Sequence, residues 1–207
     1  MNVLSLENSD RLLWLGRYSE RVYTGLRSFA EKFDSMTGST THESKLEFVK
    51  NFCFDEQNPA SIRSSLLRAY DNAIVLRDEI GTETFSYIQL ALYEMNKAEK
   101  SKASILLNLQ KVIDNIVAFW GMADDIIEDE HVRGLIKLGK RIERVDLYAR
   151  MNLNFDYIKR EISRLTYRIT KTGLRYNSEN LERLKALANG NEINNSEIIK
   201  AVENLIE

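Results

Sequence analysis

A single proline, a single cysteine and two histidines in 207 residues remove several chemistries at once. With Cys53 alone there is no intrachain disulfide and no thiolate cage for a metal, and a reducing, cytoplasmic setting is the expectation. Having only His42 and His131 nearly excludes a Ser-His-Asp or Cys-His relay. Loops of the Gly-x-x-x-x-Gly-Lys and Gly-x-Gly-x-x-Gly types are missing, so nucleotide phosphates are not held in those ways. Neither a cofactor nor a metal is expected. Nowhere do about 18 apolar residues run together, which argues against a membrane-spanning helix. The amino terminus, Met1-Asn2-Val3-Leu4-Ser5-Leu6-Glu7, lacks the cationic-then-apolar pattern of a secretion signal.

An excess of one charge is lacking too. The 29 Lys and Arg are interspersed with 31 Asp and Glu, for a net charge of −2. No basic runs form, which argues against nucleic acid or an anionic membrane surface as partner. What the chain does have is 43% hydrophobic residues, enough to bury a real core as one domain over 1–207. Scarce proline favours long helices.

Helical period dominates the sequence. Ser9 or Asn8 is positioned to cap a helix from about Asp10 to Phe33, with Leu12, Leu15, Ser19, Val22, Tyr23, Leu26, Phe29 and Phe33 on one side. Thr40 and Glu43 have capping-box spacing for a short helix through Phe54. Asn58 and Pro59 read as the cap and first residue of a helix that Gly81 ends beyond Ile80. Further helices are predicted from Thr82, from Ser101 with a bend near Gly121, over His131–Asn152 and over Asn154–Tyr176. Two short amphipathic pieces follow, at Leu181–Ala188 and Ser196–Ile206. No period-2 stretch reads as a strand. The prediction is an all-α, single-domain bundle of about six to eight helices, with a motif-bearing core at 9–152 and C-terminal helices at 153–207.

Within that pattern one segment occurs twice. Leu12, Leu15, Gly16, Glu20, Arg21, Val22 and Arg27 each meet the identical residue at an offset of 123 positions, ending at Arg150. An apolar stripe does not ask for a glycine followed, four and five residues later, by Glu-Arg. Glycine inside a helix costs about 0.5–1 kcal/mol relative to alanine, so its repetition implies that something needs the room. Three readings of the paired motif stay open. Glu20 can pair with Arg144 and Glu143 with Arg21 across a pseudo-twofold, as internal struts. The arginines can instead converge on a carboxylate or phosphate, oriented by the glutamates. A glutamate acting as general base is the third, weakened because a neighbouring arginine lowers a carboxylate's pKa.

The stretch Leu13-Trp14-Leu15-Gly16-Arg17-Tyr18-Ser19-Glu20-Arg21 resembles the opening of the alpha-E domain proteins, a bacterial all-helical family named for its Glu-Arg motif. Asn58–Leu66, Arg68–Ala73 and Arg77–Ile80 resemble its second block, and Leu138–Arg144 its third. The chain departs from the family pattern at Tyr70-Asp71, at Lys140 where an arginine is usual, and at His131-Val132-Arg133. Alpha-E proteins are also usually longer, so a second half is expected to be absent or reduced. By this resemblance the candidate ligand-binding positions are Arg17, Glu20, Arg21, Arg68, Asn72, Arg77, Glu143 and Arg144. The resemblance also implies partners, an ATP-grasp-type ligase and a transglutaminase-like peptidase, and hence an accessory role in peptide ligation or modification. Competing classes are an enzyme acting on amide bonds with Glu20 or Glu143 as base, and a purely structural helical module. A homo-oligomer is left open.

Other constellations are weaker. Glu128 and His131 form one Glu-x-x-His, whereas a di-iron bundle needs two plus further glutamates. Asp124, Asp125, Glu128 and Asp129 lack calcium-loop spacing. Cys53, between Phe52 and Phe54, reads as an inert packing thiol. Trp14 falls off the main stripe, beside Arg17 and Arg21.

Overall fold

In the computed structural model the chain is described over residues 4–36, 42–190 and 194–206. Helix α1 (Leu6–Ser35) starts earlier than its apolar stripe suggests, because Ser5 is extended and its hydroxyl accepts from the Asn8 N–H. Ser9 is instead buried within the first turns, donating to the Ser5 carbonyl. Helix α2 (His42–Val49) passes into a π turn, Lys50–Phe54, which carries Cys53 inward. Thr40, the expected capping residue, lies outside the described residues.

Asn58 and Pro59 do not start the third helix. The Asn58 side chain accepts from Ala60 N–H and its carbonyl from Ser61 N–H, closing a turn. Ser61 is the extended residue that caps α3 (Ile62–Val75), accepting from Ser64 N–H. That helix also stops short of Ile80: Leu76 breaks it, and a single turn α4 (Arg77–Ile80) leads to Gly81. With φ at +79°, Gly81 occupies backbone space that a side chain disfavours, which lets α5 (Thr82–Lys100) set off in a new direction.

Ser101 ends α5 instead of opening the next helix, and α6 (Ile105–Ile126) runs on through Gly121. Asp129 caps α7 (Glu130–Arg150) by accepting from His131 and Val132 N–H. At its other end Leu153 N–H bonds the Tyr148 carbonyl and Asn152 N–H the Ala149 carbonyl, with Asn152 at φ 54°. This double closure is a Schellman stop, with asparagine in the left-handed position usually given to glycine. The chain turns back as α8 (Phe155–Ile169), which ends before Tyr176. Helices α9 (Ser178–Asn189) and α10 (Asn195–Glu203) complete the chain. Tyr176 forms an isolated antiparallel bridge with Ile206, and among the described residues there is no strand beyond it.

Two apolar clusters meet at α7. The first joins Leu12, Leu15, Val22 and Phe29 of α1 to α3, α5 and α6, and takes Leu135 and Ile136 from α7. The second packs Leu138, Ile142 and Val145, on the other side of α7, against α8, α9 and α10. Leu13 of α1 crosses into this second cluster. Each fully buried aliphatic side chain contributes about 1.5–3 kcal/mol relative to exposure, so α7, buried on both flanks, is the element that ties the halves together. No helix among the described residues is long and apolar enough to cross a membrane.

Candidate functional site: the interlocked Glu-Arg helices

The two copies of the repeat lie against each other. A Cβ on Gly16 would sit 2.1 Å from the Ile136 carbonyl oxygen, and one on Gly139 would sit 1.9 Å from that of Leu13. Leu13 and Ile136 are themselves equivalent positions of the repeat, so each glycine receives the matching carbonyl of the other helix. Only a residue without Cβ permits this approach, which is why the motif carries glycine in mid-helix twice. The helices advance side by side in the same sense. One turn beyond the glycines Glu20 meets Arg144, and one turn further Tyr23 and Tyr148 border a common cleft.

The close approach places both glutamates at the seam, fully buried. Glu20 receives Arg144 in a two-pronged grip, Nε to Oε1 and Nη2 to Oε2, each at 2.7 Å. Thr24 donates to the same Oε1 at 2.6 Å. Glu143 takes Arg21 Nε on Oε1 at 2.6 Å and Arg17 Nε on Oε2 at 2.9 Å. Both carboxylates therefore have both oxygens engaged. The guanidinium groups keep a partial outlook, with side-chain exposures of 14% for Arg144, 16% for Arg17 and 24% for Arg21.

The pseudo-twofold breaks with most consequence at Lys140. Arg17 and its equivalent, Lys140, both lie over indole rings, Arg17 at 4.4 Å from Trp14 and Lys140 at 3.1 Å from Trp120. Arg17 also holds a carboxylate, whereas the oxygens of Glu20 are taken by Arg144 and Thr24, and among the described residues Lys140 forms no ion pair within 4.0 Å. Burial pulls the Lys140 ammonium down to a pKa of about 7. Trp120 is fixed in turn: its N–H donates to Ser19 Oγ at 3.2 Å, and Tyr23 packs its ring edge-on at 5.0 Å.

The second block, on α3 and α4, faces α1. Arg68 lies over the Tyr18 ring at 5.8 Å, which Arg21 also approaches at 5.5 Å, and Tyr18 stacks on Trp14. Asn72 accepts from Arg11 at 3.4 Å. Arg77 stands apart, exposed, donating to Thr82 Oγ1 at 3.2 Å, at the start of α5. The structure thus gathers Arg17, Glu20, Arg21, Glu143 and Arg144 at one seam, sets Arg68 on its rim, and leaves Asn72 and Arg77 further along α3 and α4.

Sequence reasoning missed the ground beside the seam. A cavity of about 640 Å³ opens past Arg144, lined by Tyr23, Arg27, Tyr148, Tyr157 and Arg160 among others. Its walls come from α1, α7 and the start of α8, which no single motif spans. Glu161 was missed as well, a buried carboxylate receiving Arg141 at 2.5 Å and Arg164 at 2.7 Å. A signal existed: Glu161 shares the apolar face of Ile158, Ile162 and Leu165. Asp146, buried beside the seam, has its pKa raised by desolvation, against the pull of Arg150. Among the described residues no three His, Cys, Asp or Glu side chains are grouped to hold a metal ion. The Cys53 thiol is pushed up to about 12 by burial.

Fold and seam together define an all-α bundle built around a parallel, glycine-locked pair of Glu-Arg helices. The chain belongs to the Alpha-E family, described as a predicted alpha-helical domain with a conserved ER motif, which it matches over residues 8–178. All but the first two residues of α1, and the whole of α7 and α8, fall within that span, while α10 and nearly all of α9 lie beyond it. No curated protein and no solved structure matches the chain.

Proposed function

We propose that the protein is a binding component of a peptide ligation or modification system, and that it takes a carboxylate-bearing peptide in the cleft beside Arg144. The observation that carries this reading is the cleft's chemistry. Tyr23, Tyr148 and Tyr157 offer flat apolar walls, and Arg27, Lys32, Arg144 and Arg160 outnumber the one acid, Glu31. Tyrosine supplies contact area with a polar tip, and arginine takes a carboxylate two-pronged, a combination suited to an acidic or C-terminal peptide group. The volume of about 640 Å³ suits one or two residues of such a ligand.

In this reading the motif residues form the frame. Glu20 holds Arg144 at the cleft wall, while Arg17, Arg21 and Glu143 fix the helix crossing behind it, Arg68 and Asn72 brace α3 against α1, and Arg77 ties α4 to the start of α5. A general-base role for Glu20 or Glu143 is not adopted, because guanidinium groups occupy both oxygens of each carboxylate. The partners are those the family resemblance suggests, an ATP-grasp-type ligase and a transglutaminase-like peptidase acting on the held peptide. The reading is tested by calorimetric titration with short peptides carrying either a free or an amidated C-terminus. Free-acid peptides should bind, and Arg27→Glu together with Arg160→Glu should abolish binding without lowering the melting temperature. Equal binding of the amidated peptides, or no binding of either, overturns it.

A further inference from the structure

A second cavity, of about 210 Å³, lies nearer the N-terminus of α7 than the peptide cleft, between the end of α6, α7 and α8. Five cations line it, Arg133, Lys137, Lys140, Arg141 and Arg168, with a single acid, Asp124. Three of the five are satisfied internally. Lys137 pairs with Asp124 at 2.5 Å and Arg141 with Glu161 at 2.5 Å, while Arg133 binds the Ile127 and Glu128 carbonyls and lies 3.7 Å from Glu130. Among the described residues Lys140 and Arg168 have no carboxylate within 4.0 Å. Lys140 rests on the Trp120 ring, which forms the cavity's flat wall.

Two unneutralised cations, partly withdrawn from water and facing one small cavity, are costly unless an anion joins them. The groups around them add to the cost. Arg141 repels both Lys140 and Arg168, Arg144 repels Lys140, and the attractions of Glu20 for Lys140 and of Asp124 for both do not offset desolvation, so both cations have lowered pKa values. The internal repeat points the same way, because the equivalent of Lys140, Arg17, has a carboxylate of its own. We propose that this cavity binds a phosphate group, free or borne on a small phosphomonoester, between Lys140 and Arg168. The charge count selects the ligand: two open cations match a dianion, where a single carboxylate would leave one unpaired. Lysine supplies a point charge and arginine a planar fork, and phosphate oxygens accept from both. This site is separate from the peptide cleft and does not depend on it.

The test is calorimetric titration of the full chain with inorganic phosphate, with O-phosphoserine and with sulfate. Lys140→Gln and Arg168→Gln should each weaken binding at least tenfold, while exposed Lys185→Gln leaves it unchanged. Sulfate, a dianion throughout, gives a readout that a structural role would not move. Its affinity for the wild type should fall about tenfold between pH 6 and pH 8.5 as Lys140 loses its proton, and stay level in Lys140→Arg, which also covers the case in which Lys140→Gln does not fold. Binding of inorganic phosphate assigns a free-ion site, and binding of O-phosphoserine alone assigns a site for a phosphorylated molecule. If no probe binds, or if the substitutions leave binding unchanged, the proposal fails, whatever the peptide titration gives.

Discussion

Arg144 grips Glu20 through two bonds of 2.7 Å each, across 124 residues of chain. Glu20 is fully buried and the guanidinium largely so. Such a pair adds little net stability over apolar packing, but removing one partner strands a charge. Glu20→Ala is therefore expected to cost about 3–5 kcal/mol, against less than about 1 kcal/mol for Glu182→Ala in the exposed pair with Lys185. Denaturant midpoints for Glu20→Ala, Arg144→Ala and the double variant check this, with the double variant losing much less than the sum.

The seam's glycines admit no methyl group. Gly16→Ala and Gly139→Ala would each press Cβ to about 2 Å from a carbonyl oxygen, backbone that cannot rotate away. Each should lower stability by at least the 1–3 kcal/mol usual for overpacking, at roughly the upper end. Gly121, also mid-helix, has nothing within 4 Å of a Cβ, and Gly121→Ala should stabilise by about 0.5–1 kcal/mol. Thermal melts of the three variants should diverge in sign.

Lys140 sets a pH slope. Its pKa is about 7 in the folded protein against an ordinary 10.5, so between those values the unfolded chain binds the extra proton. Stability then rises with pH from about 7 to 10.5 on account of this group, and is flat in it below 7. Lys140→Met should remove that rise. Matched unfolding curves at pH 7 and pH 9.5 would show a smaller gain for the variant than for the wild type, and an equal gain refutes the assignment.

Cys53 should be silent toward alkylation. Buried completely, with its thiol raised to about 12, it presents almost no thiolate near neutrality. Iodoacetamide labelling, followed by mass, is expected only after denaturant opens the π turn; rapid labelling of the native protein contradicts this.

The all-α class was legible because apolar residues recur at helical spacing from Leu12 to Val202, and burial follows that spacing. The pairing of Glu20 with Arg144 was legible because the repeat preserved Gly, Glu and Arg at one offset, and that offset is the interface. Helix starts were misread where a serine one turn earlier, or two residues past a proline, made the better cap, as at Ser5 and Ser61. Those choices turn on backbone dihedrals that a residue name leaves open. The break at Leu76 carries no glycine or proline to announce it. Both cavities escaped because each is assembled from three helices, and adjacency between Arg168 and Lys140, or Tyr157 and Tyr23, is a property of packing.

The parallel seam also imposes an order on how the chain is made. Nearby α3 can reach α1 early, since Gly25 lies against Ile62. The other flank of α1, with Gly16 and Glu20, has no mate until Arg144 leaves the ribosome. At about 5–20 residues per second that is a delay of roughly 6–25 s during which Glu20 must stay hydrated. A charged glutamate at this seam favours water over other apolar chains on the waiting face of α1 until its own partner emerges.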